Sequence, residues 1–179
     1  MTELTRSLLD AAAGLVASHG ARGLRMADVA TRAGVSRQTV YNEFGNKDRL
    51  VQAVTLHKAA EFADGMRVRL AAEADPARGL REAFEYVFAL ADSDPMARAV
   101  LTGANSGDML PMVTTQGLPV LLLVTDVLQE HLAPRLPDLP EARVRLVAET
   151  TTRIALSHLL TPCGDGLAAV VAVAVALLA

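Results

Sequence analysis

Apolar residues recur along most of the chain at the three- and four-residue spacing of amphipathic helices, and no segment shows the strict alternation that predicts a strand. Glycine and proline interrupt this pattern at intervals that suit helices. Alanine, leucine, arginine and glutamate, which are good helix formers, fill the segments between the interruptions. The sequence therefore predicts an all-α protein of about nine helices, at residues 3–18, 26–33, 37–44, 47–72, 77–92, 96–102, 109–132, 141–160 and 166–178.

The stretch from Met26 to Phe44 predicts two short helices joined by a tight turn. Gly34 suits the end of the first helix because it adopts a positive φ angle without steric cost, and Ser36 is a preferred N-cap for the second. Val40 and Phe44 are one turn apart and are expected to face inward. The remaining side chains of the second helix are polar and favour a recognition helix for the major groove of DNA: Arg37, Gln38, Thr39, Tyr41 and Asn42.

An ordinary helical corner with a solvated polar face is the alternative interpretation of this stretch. The charge distribution favours the DNA-binding interpretation. Residues 1–58 carry eight Lys/Arg against five Asp/Glu, a net charge of +3, whereas the whole chain carries −3, which leaves −6 on residues 59–179. The acidic average therefore hides a basic N-terminal segment that is suited to nucleic acid.

Further short segments surround the two helices in a distinctive order and spacing: Leu8-Leu9-Asp10-Ala11-Ala12, His19-Gly20, Asp28-Val29-Ala30, Ala33-Gly34-Val35-Ser36, Thr39-Val40-Tyr41, Phe44 and Asn46-Lys47-Asp48-Arg49-Leu50. In these segments the chain, from about residue 4 to 56, resembles the DNA-binding domain of the TetR family of bacterial transcriptional regulators. The resemblance implies a helix-turn-helix head on an all-α body, and a homodimer that leaves its operator when a small molecule binds. We expect residues 1–46 to be the DNA-binding domain and residues 47–179 the ligand-binding and dimerisation domain.

The resemblance also implies positions of DNA contact, carried over residue by residue. Two departures from the family pattern affect it. Family members usually have a capping Thr before the helix that corresponds to residues 26–33, and this chain has Leu24-Arg25 there. The cap is therefore lost, and Arg25 is expected to contact phosphate directly. Glu43 brings a carboxylate close to phosphates, which is unfavourable unless it accepts from a cytosine amine or pairs with an arginine. The predicted DNA-binding residues are Arg25, Ser36, Arg37, Gln38, Thr39, Tyr41, Asn42 and Lys47.

Residues 59–179 carry no sharp motif, and core packing explains any single apolar residue among them. The resemblance adds a small-molecule cavity, for which methionine and phenylalanine are suitable walls. Because the chain has no Trp and two Tyr, an apolar or weakly acidic effector is predicted in preference to a flat cation. For Arg153 a structural salt bridge is the alternative role. The predicted effector-binding residues are Phe84, Phe88, Met96, Asn105, Met109, Met112, Arg153 and His158.

The last two predicted helices, near 141–160 and 166–178, are predicted to form a homodimer interface as a four-helix bundle. The final helix is apolar on all faces and must be covered on all of them. The preceding helix carries a stripe that we expect to face the partner, Val147, Thr151, Ile154, Ala155 and His158. Closure of the monomer's own core is the alternative role for both helices.

Several protein classes are excluded or disfavoured by the sequence. One cysteine, Cys163, cannot form an internal disulfide. The apolar run 167–179 is shorter than the roughly 20 residues of a bilayer span, and residues 1–3 do not begin a signal peptide, so a cytoplasmic protein without a membrane partner is predicted. No Gly-rich phosphate loop, G-x-S-x-G motif or metal-ligand spacing is present. We therefore predict that the protein is not an enzyme and has no catalytic residue, metal or cofactor.

The sequence therefore predicts a homodimeric repressor that binds a pseudo-palindromic operator in double-stranded DNA and is released from it by a small effector. An effector-independent DNA-binding or architectural protein is the alternative.

Overall fold

The computed structural model describes residues 1–102 and 110–178, and within these ranges it is helical and contains no strand. The predicted all-α class is thereby confirmed. The described helices are α1 (Glu3–Gly23), α2 (Met26–Ala33), α3 (Arg37–Phe44), α4 (Lys47–Ala72), α5 (Pro76–Ser93), α6 (Pro95–Thr102), α7 (Leu118–Leu132), α8 (Glu141–Leu160) and α9 (Gly166–Leu178).

The first helix is longer than the predicted 3–18, because the helical path resumes after a kink. Thr2 caps its N-terminus, where the side chain accepts a hydrogen bond from the backbone N–H of Thr5. Gly20 adopts φ 70° and ψ 167°, which is not helical, and the chain then continues to Gly23. A residue with a side chain rarely adopts this φ, so glycine is what allows the kink.

The predicted helix 109–132 is corrected by the structure, which begins an α-helix only at Leu118. A short 3₁₀ helix, Leu110–Val113, and a turn precede it. Pro119 lies in the first turn of α7, the position where its missing N–H has no helical partner to lose. Proline at this position starts a helix and would break one that ran through it, which the apolar pattern alone does not show.

Two compact units make up the chain: the first comprises Met1–Lys58 and Ser93–Gln116, and the second comprises Ala59–Asp92 and Gly117–Ala179. The predicted boundary after residue 46 falls at the start of α4, whereas the first unit continues along that helix to Lys58. The basic segment identified from the sequence, residues 1–58, is thus the N-terminal part of the first unit.

The core of the first unit forms where α1 packs against α2 and α6, and α2 against α3. Its fully buried members include Leu8, Val16, Val29, Val40 and Leu50. Because α2 and α3 are only eight residues each, they are too short to be stable alone and depend on this packing. The core thereby fixes the orientation of α3, whose other face is polar.

The core of the second unit forms where α7 packs against α8 and α8 against α9. Phe84, Leu128 and Val144 are among its most buried members. The segment Leu110–Arg135 is long and apolar enough, by length and composition alone, to cross a membrane. Its continuous α-helix, α7, has 15 residues, which at about 1.5 Å per residue is shorter than a bilayer's hydrocarbon core of about 30 Å. Packing against α8 explains its apolar face.

Candidate functional site

The turn between α2 and α3 has the geometry that the sequence predicts. Gly34 adopts the left-handed conformation, with φ 70° and ψ 29°, and its N–H is directed at the carbonyls of Ala30 and Thr31. The backbone N–H of Val35 also donates to the Ala30 carbonyl at 3.0 Å, which closes the end of α2. Val40, on the inner face of α3, is fully buried. The two helices are thus held as a rigid helix-turn-helix.

The N-terminus of α3 is capped by Ser36, whose Oγ accepts a hydrogen bond of 3.1 Å from the backbone N–H of Thr39. The Ser36 and Thr39 hydroxyl oxygens are 2.9 Å apart and share a hydrogen bond. The end of the helix therefore presents hydroxyl groups together with backbone N–H groups and the positive end of the helix dipole. These groups favour an anion such as a DNA phosphate.

Polar side chains on the outer face of α3 are paired with one another one turn apart. Arg37 donates from Nη2 to the Tyr41 hydroxyl at 3.1 Å, and its guanidinium carbon lies 5.2 Å from the Tyr41 ring centroid. This hydrogen bond raises the pKa of Arg37 above its ordinary value. Gln38 donates from Nε2 to Oδ1 of Asn42 at 2.8 Å. These hydrogen bonds order the side chains. Because Arg37, Gln38 and Asn42 are also exposed, their side chains are accessible to a ligand.

Two cations flank this face. Lys47 opens α4, and its Nζ donates to the backbone carbonyl of Arg22 at 2.8 Å, which leaves further ammonium hydrogens for another acceptor. Arg25 is the N-cap residue of α2 but makes no side-chain capping hydrogen bond, as the departure from the family pattern predicted. Its side chain is exposed. Both cations are therefore compatible with phosphate contact.

The structure gives Glu43 an acceptor role that the sequence did not reveal. The Thr5 hydroxyl, in the first turn of α1, donates to Oε1 of Glu43 at 2.5 Å. The carboxylate thus lies near the positive end of the α1 dipole, which favours negative charge. Glu43 thus links α3 to α1 through a hydroxyl, which differs from both roles considered from the sequence, acceptance from a cytosine amine and pairing with an arginine.

A second long-range pair in the first unit was also missed. Nε2 of His57 on α4 lies 3.0 Å from Oδ1 of Asp10 on α1. An imidazole beside a carboxylate is a pair that metal sites commonly use. Pairs along one helix can be found from spacing in the sequence, whereas these two residues are 47 positions apart and meet only through the fold.

The predicted effector residues that belong to the second unit lie on α5 and α8. Phe84 is 1% exposed and part of the core, and Phe88 is half-buried. Phe88 and His158 meet at Gly166: a Cβ added to Gly166 would lie 3.1 Å from Cε1 of Phe88 and 3.0 Å from Cβ of His158. The structure therefore brings Phe88 and His158 together. Arg153 is exposed on α8, where Nη2 is 2.7 Å from Oε1 of Glu149, which is the salt bridge given as its alternative role.

The other predicted effector residues do not belong to the second unit or are not described. Met96 is 3% exposed and lies in the core of the first unit, where packing accounts for it. Met112 is half-buried on the 3₁₀ helix, also in the first unit. Asn105 and Met109 lie outside the described residues. Among the predicted effector residues, Phe88 and His158 are the pair that the described structure places in contact with the same residue, Gly166.

Buried polar atoms in the second unit are a feature that the sequence analysis did not identify. In the described part of the chain, four buried side-chain atoms have no hydrogen-bond partner, and all four are on α7 and α8: Thr125 Oγ1, Gln129 Oε1, His131 Nε2 and Thr151 Oγ1. Thr125 and Thr151 are each 1% exposed. Burial and the nearby charge of Arg135 lower the pKa of His131. Such atoms are costly in a free protein and mark places where another polar group belongs.

The stripe on α8 that was expected to face a partner is instead directed inward. Val147, Thr151 and Ala155 are at most 3% exposed, so they belong to the unit's own core and that part of the prediction is wrong. The solvent-facing apolar residues of these helices are others, Leu146 on α8 at 53% exposure and Val175 on α9 at 40%. An exposed apolar face therefore exists on the two predicted helices, displaced by one residue on α8.

Comparisons with known proteins agree with this architecture. The family model for bacterial regulatory proteins of the tetR family matches residues 8–54, and the one for the C-terminal domain of the bacterial tetracyclin repressor matches residues 75–179. The HTH-type transcriptional regulator AlkX of Mycobacterium tuberculosis is 30% identical over 164 residues, which cover 89% of this chain and 76% of that protein.

Solved structures resemble the chain over nearly its whole length. The TetR family repressor AlkX from Dietzia sp. strain DQ12-45-1b, implicated in biodegradation of n-alkanes, superposes with a TM-score of 0.78 at 27% identity, over 97% of this chain and 92% of that one. The regulator FadR from Bacillus subtilis, solved in complex with stearoyl-CoA, has the same fold, with a TM-score of 0.60 at 20% identity over 97% of each chain. With its helix-turn-helix and the matches over both parts of the sequence, the chain belongs to the TetR family of DNA-binding transcriptional regulators.

Proposed function

We propose that the protein is a homodimeric cytoplasmic repressor that binds a pseudo-palindromic operator and is released by a small effector with a large apolar part. The observation that carries the proposal is the exposed polar face of α3, held on a rigid helix-turn-helix core. Each α3 would enter the major groove of one half-site, with half-site centres about 34–36 Å apart or somewhat more, as two-fold symmetry requires.

Base recognition is assigned to the exposed side chains of α3. The Arg37 guanidinium suits the two acceptors of guanine, and the amides of Gln38 and Asn42 suit adenine. In the free protein Arg37 binds Tyr41 and Gln38 binds Asn42. These pairs hold the side chains in few conformations before DNA arrives, which lowers the entropic cost of ordering them on binding.

In this proposal, the position of the protein along the DNA is fixed by groups that contact phosphate. Ser36, Thr39 and Tyr41 offer hydroxyls, α3 offers its N-terminal N–H groups, and Lys47 and Arg25 offer charge. Phosphate contacts supply affinity without sequence information. They orient α3 so that its outer face meets the base edges.

Dimerisation is assigned to α8 and α9, near 141–160 and 166–178. Leu146 and Val175 are exposed in the single chain, and exposed Ala172 lies one turn from Val175. Small residues permit close helix approach, and the same surface on two copies forms an isologous interface. The two DNA-binding domains of one dimer would each contact one half-site.

The effector class follows from composition and from relatives. The second unit has an apolar interior. Among relatives, one repressor is implicated in n-alkane degradation and one regulator was solved with stearoyl-CoA. An aliphatic effector, neutral or weakly acidic, fits these observations. A coupling free energy of about 1–3 kcal/mol between effector and DNA suffices for regulation.

The test begins by selecting bound fragments from the source genome and measuring affinity for the selected operator and for random DNA of equal length. We expect specific binding to exceed random binding by at least about a thousandfold. Arg37→Ala and Gln38→Ala should each remove much of this preference, whereas Gln116→Ala, which removes an exposed glutamine outside α3, should not. Equal affinity of the wild type for both DNAs would refute a sequence-specific regulator.

Release is tested by adding octane or octanoate to the preformed complex and following fluorescence anisotropy of labelled operator. A concentration-dependent loss of anisotropy supports the effector-responsive repressor. Binding that no aliphatic probe alters would favour the effector-independent alternative.

A further inference from the structure

We infer that Thr125, Gln129 and Thr151 form a hydrogen-bonding site inside the second unit for the uncharged polar end of an aliphatic effector. This inference rests on the proposed function and narrows its ligand class. The apolar part of the effector would lie among the surrounding aliphatic and phenylalanine side chains. The polar end would be neutral, as in an alcohol, an aldehyde or a protonated acid.

The first support is the placement of these residues in otherwise apolar helix faces. On α7, Thr125 occupies one position of a buried stripe with Leu121, Leu128 and Leu132. A stripe at this spacing faces the core, where a hydroxyl needs a partner. Gln129 follows Thr125 by one turn and brings its buried Oε1 to the same side of the helix.

The second support is the equivalent position on the helix that packs against α7. Thr151 lies on α8 in a buried stripe with Val144, Val147 and Ala155. A short 3₁₀ helix, Ala133–Arg135, continues α7, and Thr125 lies ten residues before its last residue, while Thr151 lies ten residues after the first residue of α8, Glu141. Because α7 and α8 are consecutive, packed against each other and joined by a short connection, both threonines lie about 15 Å along the helical path from that connection. The two threonines thus occupy the same level of the helix pair.

The third support is that neither hydroxyl donates to the backbone carbonyl four residues earlier, the usual partner of a buried threonine in a helix. Thr152, next to Thr151, donates to the Ala148 carbonyl at 2.8 Å, and Thr55 donates to the Val51 carbonyl at 3.0 Å. Thr125 and Thr151 make no such bond, nor any other within the described residues. Their hydroxyls are therefore available in the interior.

The charge of the site limits the ligand. Among the described residues, the buried polar or charged side chains of the second unit are Thr125, His131, Thr151 and Thr152, without an arginine or lysine. A carboxylate or ammonium buried without an opposite charge costs several kcal/mol, whereas a neutral hydroxyl or carbonyl is satisfied by hydrogen bonds alone. The site therefore favours a neutral end over an ionised one.

The experiment compares octane, octan-1-ol and octanoate on the full-length protein, with affinity measured by operator release and by the ligand-induced shift in melting temperature. The variants are Thr125→Val and Thr151→Val, which keep the shape and remove the hydroxyl. The matched control is Thr152→Val, at an adjacent buried threonine whose hydroxyl already has a partner.

We expect each of the first two variants to lower the affinity for octan-1-ol about fivefold, the worth of one neutral hydrogen bond, and to leave the affinity for octane within twofold. Both should melt at a higher temperature than the wild type without ligand, because an unsatisfied hydroxyl has been removed. Thr152→Val should melt lower and keep the wild-type affinity for octan-1-ol. Octanoate should bind the wild type more weakly than octan-1-ol at pH 8.

Three results would overturn the inference. Equal effects of the threonine variants on octane and octan-1-ol would mean that the hydroxyls do not contact the polar end. Lower melting temperatures with unchanged ligand affinities would show that they hold only structural water. Tightest binding by ionised octanoate would show that charge is accommodated elsewhere. In each case release by an aliphatic probe still supports the proposed function, whereas binding or release by none of the three probes would refute both.

Discussion

Val175→Asp tests the proposed dimer most directly, because Val175 lies on α9 with 40% of its surface exposed in the single chain. Burying a whole valine side chain contributes about 1.5–3 kcal/mol, so covering the exposed part contributes roughly 1 kcal/mol per protomer and roughly 2 kcal/mol for two symmetric copies. Aspartate loses this contribution and adds two buried carboxylates, each costing several kcal/mol without a partner. The dimer dissociation constant should therefore rise at least about a thousandfold.

Sedimentation equilibrium over a series of protein concentrations measures this constant, and circular dichroism checks that the variant is folded. Val68→Asp is the matched control, because Val68 is 68% exposed on α4 and lies on neither α8 nor α9. It should dimerise like the wild type. The reasoning fails if folded Val175→Asp dimerises within threefold of the wild type, or if the control dissociates to the same extent.

Three further substitutions test separate parts of the molecule. Lys47→Ala should weaken binding to operator and random DNA alike and reduce the slope of log affinity against log salt by about one unit, measured by anisotropy over a salt series; an unchanged slope would exclude a phosphate contact. Ser36→Ala should lower the free energy of unfolding by about 1 kcal/mol through loss of the α3 cap, measured by urea titration against Ser18→Ala, whose hydroxyl bonds carbonyls within α1 and should cost less. Burial lowers the pKa of His131 in the folded state, so unfolding takes up a proton below about pH 6.5, and the free energy of unfolding decreases as the pH is lowered, by at most about 1.4 kcal/mol per pH unit. His131→Leu should lose less stability than the wild type between pH 7 and pH 5, measured by urea titration at each pH, and an equal loss would assign the effect to other groups.

Helix positions were predictable where the signals that begin and end a helix are local. The bounds predicted for α3, 37–44, are those of the structure, because Ser36 caps the start and Gly45 follows the end. The same holds for α8 and α9, which follow Pro140 and Asp165. The error before Leu118 arose because apolar periodicity continues through Pro119, and the chemistry of that residue had to outweigh the periodicity.

The polar face of α3, which is proposed to bind DNA, was predictable for the same reason, whereas the contact that joins α3 to α1 was not. Arg37, Gln38 and Asn42 lie within one helix, so the three- and four-residue spacing places them together. Glu43 meets Thr5 of α1, and this contact depends on how two helices pack. Periodicity indicates which face of a helix is buried but not which residue of another helix covers it, so such pairs require the fold.

The α8 stripe shows how this limit affects an interface. Val147, Thr151 and Ala155 share a helical face, and the spacing was correct, but it could not distinguish burial in the chain's own core from burial against a second copy. The structure assigns these residues to the core and leaves Leu146 exposed. Because Leu146 is next to the core-facing Val147, a shift of one residue separates the face buried in the chain from the face proposed for the dimer.

The proposed effector site rests on a pattern that the sequence did contain. Arg153 was predicted because it is a charged residue in an otherwise uncharged stretch of the chain, but its salt bridge with Glu149 lies at the surface. A stricter criterion asks for a polar residue at a core-facing position of an apolar helix, which Thr125 satisfies between Leu121 and Leu128. Such a residue lowers stability in the free protein, since its hydroxyl has exchanged water for hydrocarbon. Residues that lower stability in this way are concentrated at functional sites, so the cost of Thr125 and Thr151 is itself a reason to look for a ligand there.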